Sequence, residues 1–246
     1  MLPSILIFGE RISTYWMTMA IGFIAMVILM VRRKKIYALS TTRAIAVASM
    51  VMFSGVLGCK LLYMAENLSE IRTNGLTLGG FSFFGAVFLV PIVMACSGKL
   101  FGLNVGTSTD AAAPCVSLMV AVIRFGCYLN GCCGGTQFMI GLRTFTWPTQ
   151  MMESIGDILI TAWLLGMESS GDSGGKLYER FLLSYGVLRF FIEFFRDTPK
   201  DWLGLSHGQC FSVASVVVAL GCIVFQRGKG DYRFLQRKEE VTNEKM

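Results

Sequence analysis

Charged residues are scarce in this sequence. Only 15% of its 246 residues are charged, 54% are hydrophobic, and the mean hydropathy is +0.59. An average soluble domain carries about 25% charged residues, so the composition excludes an ordinary soluble protein. Apolar runs of roughly 20 residues, the length that spans a bilayer, recur along the chain. The sequence therefore predicts an integral membrane protein.

Histidine is almost absent as well, since His207 is the only one in the chain. Zinc sites usually combine paired Cys-x-x-Cys or Cys/His ligands, a pattern that the clustered cysteines Cys127, Cys132 and Cys133 do not match. The other five cysteines are dispersed through predicted helices, where cysteine behaves as a small hydrophobic residue. We therefore predict no metal site and no cofactor.

The fold class predicted is an all-α, polytopic membrane bundle of about seven transmembrane helices. The predicted spans are residues 12–31, 43–65, 79–97, 111–131, 149–167, 180–195 and 208–226. The linkers are too short to hold a second domain, and no repeat of fixed period is visible. Residues 1–246 are thus expected to form one integral membrane domain with a basic tail at about 227–246.

Lysine and arginine predict the orientation of the bundle. With the N-terminus outside, the outer segments would carry only Arg11, Arg72, Arg143, Arg196 and Lys200, and the inner segments would carry most of the remaining positive charge. The positive-inside rule therefore favours an outside N-terminus and an inside C-terminus. The net charge of +6 lies largely on these flanks and the tail. This suits contact with anionic membrane lipids better than with nucleic acid, for which no binding module is visible.

A few ionisable residues interrupt the apolar runs, and they are the first candidates for function. They are Lys60, Arg124, Glu153, Arg189 and Glu193. Charged residues inside a membrane usually face a partner, a cavity or a bound anion. Arg189 and Glu193 are four positions apart, so they share a helix face and can pair. A purely structural ion pair between these two residues would leave the positive charges of Arg124 and Lys60 without enough partners. An anionic ligand such as a lipid phosphate would balance them.

The segment from Arg124 to Gly135 combines that arginine with Asn130 and four glycines. Glycine in membrane helices mostly permits close packing, but the run 130–135 is denser than packing needs. Because non-helical backbone at membrane depth must be buried in protein or line a cavity, we expect a re-entrant or broken helix end beside a polar pocket. The segment 134–148 that follows shows no strong helical pattern.

Several segments together resemble the motifs of one known family. In chain order they are residues 12–22 with Tyr15, residues 55–63 with Lys60, residues 79–85, 124–135, 148–153, 185–196 and the pair Gly208-Gln209. Their order and their positions on the predicted helices are similar to those of the prolipoprotein diacylglyceryl transferases of bacterial inner membranes. The segment 185–196, with Tyr185, Arg189, Glu193 and Arg196, is the nearest match to the family pattern.

The resemblance implies an activity and its participants. The family transfers the diacylglyceryl group of phosphatidylglycerol to the thiol of the lipobox cysteine in a prolipoprotein signal peptide and releases glycerol-1-phosphate, a step of lipoprotein maturation at the bacterial inner (plasma) membrane. The implied catalytic residues are Arg124, Arg189, Glu193 and Glu153. The implied substrate-binding residues are Tyr15, Lys60, Asn130, Gly131, Tyr185 and Arg196.

The chain also departs from the family pattern. Phe84 and Trp147 replace two histidines, Cys127 and Cys132 replace an asparagine and a glutamate, and Lys60 replaces an arginine. A base for the acceptor thiol would then be Glu193, Glu153 or solvent. Three alternatives stay open: an inactive or re-purposed phospholipid-binding homologue, a thiol-disulfide redox protein using the clustered cysteines, and a channel or transporter.

Overall fold

The computed structural model describes residues 4–7, 10–68, 72, 75, 82–101, 105–170, 176–200 and 204–227. The basic tail beyond residue 227, the Gly79-Gly80 pair and parts of the 66–75 and 169–175 loops lie outside the described residues. Expectations for those segments therefore stay predictions.

Helices make up most of the described chain, which confirms the all-α class. They are α1 Thr14–Arg32, α2 Thr41–Glu66, α3 Phe84–Phe101, α4 Val105–Asn130, α5 Thr149–Ser169, α6 Leu177–Ile192 and α7 His207–Arg227. Two short 3-10 helices cover Lys34–Tyr37 and Glu193–Phe195. Each predicted span overlaps one α-helix. Residues 14–32, 41–66, 106–130 and 207–224 are long and apolar enough to cross a membrane.

Some helix boundaries differ from the prediction for physical reasons. Helix α4 begins at Val105 rather than at 111, because the polar residues 106–110 give no apolar signal although they are helical. Helix α3 begins at Phe84, five residues later than predicted. The predicted span 180–195 is α6 followed by the 3-10 turn Glu193–Phe195.

Two antiparallel hairpins were not predicted. The first joins β1 Ser4–Ile7 to β2 Glu10–Ser13, and the second joins β3 Gln137–Ile140 to β4 Arg143–Thr146. Each strand has only four residues, and β4 is exposed throughout. Such strands lack the alternation of buried and exposed residues that identifies a strand in sequence. The second hairpin occupies most of the 134–148 segment, which agrees with its lack of helical pattern.

The described residues form two compact units, residues 27–112 and the remainder of the chain. In the first unit α2 packs on α3 through two glycines: a Cβ on Gly58 or on Gly85 would overlap the backbone of the other. Arg33, directly after α1, is buried. Its guanidinium donates to the Ala111 carbonyl at 2.9 Å and to the Tyr37 hydroxyl at 3.3 Å.

In the second unit small hydroxyl side chains join neighbouring helices. Ser117 and Ser154 donate across the α4–α5 contact, to the carbonyls of Asp157 at 2.9 Å and of Ala121 at 2.8 Å. Ser215 of α7 donates to the Leu182 carbonyl of α6 at 3.1 Å. Such interhelical hydrogen bonds stabilise helix association in membranes by roughly 0.6–2 kcal/mol each. They fix α4, α5, α6 and α7, the elements that carry the candidate site.

Candidate active site

Glu153, near the start of α5, is the centre of the candidate site. Its side chain is fully buried, and Oε1 lies 2.9 Å from Nε of Arg124 on α4. Its other oxygen, Oε2, lies 3.4 Å from Nη1 of Arg189 on α6. The Tyr185 hydroxyl donates to Oε1 at 3.0 Å. The structure thus brings together four of the predicted residues, from three helices, on one carboxylate.

Glu193 forms a second carboxylate centre directly after α6. Nη2 of Arg189 lies 2.7 Å from its Oε2, and Nε of Arg196 lies 3.7 Å from the same oxygen. The hydroxyls of Thr198 and Ser206 donate to Oε1 at 2.9 and 3.1 Å. Arg189 therefore bridges both carboxylates, and the four-residue spacing predicted the second of its contacts.

The start of α7 is shaped to receive Glu193. The Ser206 hydroxyl accepts from the Gln209 backbone N–H at 3.2 Å, and the Gln209 side chain accepts from the Ser206 backbone N–H at 3.0 Å. This reciprocal pair is a capping box. A Cβ on Gly208 would come within 2.9 Å of the Glu193 carboxylate, so a larger residue would displace this acidic group from its place at the positive end of the helix dipole.

Positive charge exceeds negative charge among these groups. Three guanidinium groups, of Arg124, Arg189 and Arg196, face two paired carboxylates. The pKa of Arg196 is lowered by burial and by the positive charges of Arg189 and Arg124, as expected when like charges share a site. Nε of Arg196 is buried and has no hydrogen-bond partner among the described residues. The arginine cluster, defined as these three arginines, is therefore suited to an anion.

Sequence reasoning missed Asp157, one turn after Glu153 on α5. It is fully buried, and neither carboxylate oxygen has a hydrogen-bond partner in the described part of the chain. An ionised carboxylate without a partner is very costly to bury. The four-residue spacing of Asp157 from Glu153 was the signal available in the sequence.

The predicted broken helix end is instead a compact turn. Helix α4 ends at Asn130, and the N–H groups of Gly131 and Cys132 donate to the carbonyls of Tyr128 and Cys127 at 3.2 and 3.1 Å. This is a Schellman motif, in which glycine supplies the left-handed residue, and Gly131 has φ +77°. Gly131 therefore has a structural role, and the half-buried Asn130 is the last helical residue.

The remaining predicted residues make other contacts. Tyr15 is half-buried at the start of α1, with its ring edge-on to Trp16. Lys60 is in the first unit, with Nζ 5.3 Å from the centre of the Tyr63 ring. Phe84, at a family histidine position, is buried in that same unit. Trp147, at the other, packs on Phe195 with ring centres 4.8 Å apart.

An apolar groove follows α5 and α6 beside the arginine cluster. Its volume is about 620 Å³, and its walls run from Met152 and Ile192 to Trp163 and Ser184. Met152 and Ile192 directly precede Glu153 and Glu193 in the chain. One end of the groove is therefore next to the charged groups, and its length along α5 is about 16 Å at 1.5 Å per residue.

Comparisons with known proteins identify the family of this chain. A sequence model of the family described as prolipoprotein diacylglyceryl transferase matches residues 3–225. A phosphatidylglycerol–prolipoprotein diacylglyceryl transferase of Clostridium tetani is 30% identical over 234 residues, which cover 87% of this chain and 93% of that protein. Proteins named for the same activity in Clostridium perfringens and Dehalococcoides mccartyi are 25% and 26% identical, each over 89% of this chain and 91% and 90% of their own lengths. Since these matches extend over nearly the whole sequence, the chain belongs to the prolipoprotein diacylglyceryl transferase family of membrane proteins.

Proposed function

We propose that this protein transfers the diacylglyceryl group of phosphatidylglycerol to the cysteine thiol of a prolipoprotein signal peptide. The single observation that carries the proposal is the arginine cluster, in which three guanidinium groups face two carboxylates. Arginine presents a planar fork that matches phosphate oxygens. The excess positive charge fits one phosphate group.

The chemistry explains why excess positive charge is useful. The acceptor sulfur forms a bond to the terminal glyceryl carbon of the diacylglyceryl group, and the bond from that carbon to the phosphate oxygen breaks. The bonding electrons leave with glycerol-1-phosphate, so a singly charged phosphodiester becomes a monoester with more negative charge. Groups aimed at charge that develops during a reaction stabilise its transition state. Arg124, Arg189 and Arg196 would supply this stabilisation.

The two carboxylates would hold the arginines in place. Glu153 fixes Arg124 and Arg189, Tyr185 fixes Glu153, and Glu193 fixes Arg189 and Arg196. Glu193 also remains a candidate base for the acceptor thiol. We assign Asn130, Gly131, Tyr15 and Lys60 to substrate binding on the family resemblance alone.

The groove along α5 and α6 would hold an acyl chain. Its walls are almost entirely apolar, and four of the side chains that line it, Leu159, Trp163, Val187 and Phe191, are exposed. In a bilayer these side chains would face lipid. A phospholipid could therefore enter sideways from the membrane, with its phosphate at the arginine cluster and an acyl chain in the groove.

We also propose a location and an orientation. The protein would be a multi-pass protein of the bacterial inner membrane, with seven spans, the N-terminus outside and the basic tail inside, as the distribution of lysine and arginine favours. Impermeant thiol labelling of Lys245→Cys, compared with the unmodified protein, tests the orientation. Because Cys133 is exposed at the end of α4 that this orientation places outside, labelling of intact cells above the level of the unmodified protein would contradict it.

Mass spectrometry tests the activity. Purified protein in phosphatidylglycerol vesicles is incubated with a lipobox peptide, and the mass of the peptide is measured. We expect the peptide to gain one diacylglyceryl group, and a peptide with serine at the lipobox cysteine to gain none. Diacylglycerol, which has no phosphate leaving group, should not replace phosphatidylglycerol.

The competing hypothesis is a phospholipid-binding homologue without activity. It predicts that the protein binds phosphatidylglycerol but leaves the peptide unmodified between neutral and alkaline pH. That result would overturn the proposed function.

A further inference from the structure

Three thiols meet where α4 ends. The Sγ atoms of Cys127, Cys132 and Cys133 all lie within 4.8 Å of one another. Cys127 is buried, Cys132 is half-buried and Cys133 is exposed. The Schellman motif produces this cluster, because the bond from the Cys132 N–H to the Cys127 carbonyl returns the chain over the last helical turn. We call these three residues the thiol cluster.

Contacts from α5 hold the thiol cluster beside the arginine cluster. The Gln150 side chain donates to the Cys132 carbonyl at 2.6 Å, and the Thr149 hydroxyl donates to the Cys133 carbonyl at 3.1 Å. Cys133 has φ +62°, a conformation that non-glycine residues adopt only when their surroundings enforce it. Glu153 lies one turn further along α5 than these two donors. The thiols and the buried ion pairs are therefore fixed by the same end of one helix.

Cysteine binds metal ions as the thiolate. Three sulfur atoms that lie within 4.8 Å of one another are close enough to share one ion.

We propose that Cys127, Cys132 and Cys133 bind a zinc ion whose fourth coordination position takes the acceptor thiol of the prolipoprotein. This inference rests on the proposed function. Catalytic zinc sites have three protein ligands and one open position, and the exposure of Cys133 leaves such a position accessible. With Zn–S bonds of about 2.3 Å, tetrahedral ligands lie about 3.8 Å apart, so the sulfurs need to approach by about 1 Å at most. The spacing of these cysteines in sequence did not indicate zinc, whereas their geometry does.

Zinc would solve the problem of activating the acceptor thiol. Phe84 and Trp147 stand at the two family histidine positions, and neither side chain can act as a base. The carboxylates of Glu153 and Glu193 are already paired with arginines and hydroxyls. A thiol that coordinates zinc is deprotonated, and its proton passes to solvent. The sulfur then attacks the glyceryl carbon, the carbon–oxygen bond breaks, and the electron pair leaves with the phosphate. The oxidation states do not change, and the thioether product, a weaker ligand than thiolate, dissociates.

The first measurement is metal binding, which does not depend on activity. Protein purified without chelator is analysed for zinc, and the zinc is then exchanged for Co²⁺, whose thiolate charge-transfer absorption reports sulfur ligands. We expect stoichiometric zinc and that absorption in the unmodified protein. Cys127→Ser, Cys132→Ser and Cys133→Ser should each lose both. The matched control is Cys222→Ser, at an exposed position of α7, which should retain both.

A fourth variant keeps all three ligands and changes only their support. Gln150→Ala removes the donor to the Cys132 carbonyl, and outer-shell changes of this kind weaken metal affinity on the order of 10–100-fold. We expect a zinc dissociation constant raised within that range. The proposed zinc site would be contradicted if Gln150→Ala left the zinc dissociation constant unchanged and all three serine variants retained the metal.

Transfer to the lipobox peptide is measured on the same preparations. Removal of zinc should lower transfer about 100-fold or more at neutral pH, in the range of proton-transfer catalysis, and added zinc should restore it. Full transfer by protein that binds no zinc, or a disulfide within the thiol cluster of the active protein, would overturn the inference and leave the proposed function intact. Zinc bound by the three cysteines without any transfer would instead contradict the proposed function, and with it the role of the zinc in binding the acceptor.

Discussion

Nη2 of Arg189 lies 2.7 Å from Oε2 of Glu193, one helical turn further along the chain. The other terminal nitrogen of the same guanidinium lies 3.4 Å from Oε2 of Glu153. One side chain therefore joins the two carboxylate centres of the site. Lysine could not do this, because its ammonium is a point charge without a fork.

Arg189→Lys tests this relationship. We expect the rate of transfer to fall by a factor on the order of 10²–10³, as when one preorganised donor is removed from a catalytic site. Arg189→Ala should lose at least as much. The measurement is the initial rate of diacylglyceryl transfer to a lipobox peptide. The control is Arg143→Lys on the exposed strand β4, which should be fully active. A fully active Arg189→Lys would show that transfer does not need the forked guanidinium of Arg189.

Glu193→Gln separates two roles of that carboxylate. The contacts with Arg189, Arg196, Thr198 and Ser206 indicate that Glu193 positions the arginines. We therefore expect a loss of transfer that is the same at neutral and alkaline pH. If Glu193 were the base for the thiol, the loss would shrink above a pH of about 8.5, where free cysteine ionises unaided. The pH profile of the variant relative to the unmodified protein decides between them.

Tyr185→Phe tests the support of Glu153. The substitution removes the hydroxyl that donates to a fully buried carboxylate, and the unfolding free energy should fall by about 1–3 kcal/mol. The measurement is thermal unfolding in detergent micelles. Tyr128→Phe, at an exposed position of α4, is the matched control. Equal unfolding midpoints for the two variants would show that this hydrogen bond contributes nothing measurable.

Gly85→Ala tests the packing of α2 against α3. A Cβ at this position would overlap the backbone of Gly58, so the helices must move apart. Overpacking typically costs about 1–3 kcal/mol of stability. Gly221→Ala, where a Cβ meets no atom within 4 Å, provides the control. The unfolding midpoint should fall for Gly85→Ala, whereas Gly221→Ala should keep or raise it, because alanine has a higher helix propensity than glycine. An undiminished midpoint for Gly85→Ala would contradict the close packing of the two helices.

Several features of the fold and site could be read from the sequence because they depend on local pattern. Helix positions follow from the length of apolar runs. The contact between Arg189 and Glu193 follows from their spacing, since residues four apart share a helix face. The family was evident from the order of its motifs, and the comparisons confirm it.

Other features depend on tertiary contacts that no local pattern records. The hairpins consist of short strands, and β4 is exposed throughout, so hydrophobic periodicity could not reveal them. The burial of Arg33 depends on a hydrogen bond to the Ala111 carbonyl, 78 positions further along the sequence. The thiol cluster depends on a left-handed φ at Cys133, which sequence does not predict for a residue other than glycine.

In the proposed function, the arginine cluster holds the phosphate of a lipid donor while a thiol displaces it. The most direct test quantifies the thioether-linked peptide and glycerol-1-phosphate in one reaction, for the unmodified protein, Arg124→Ala and Arg143→Ala. We expect equal amounts of the two products from the unmodified protein and from Arg143→Ala, and a parallel loss of both from Arg124→Ala. Glycerol-1-phosphate released without thioether, or undiminished transfer by Arg124→Ala, would contradict this role of the arginine cluster.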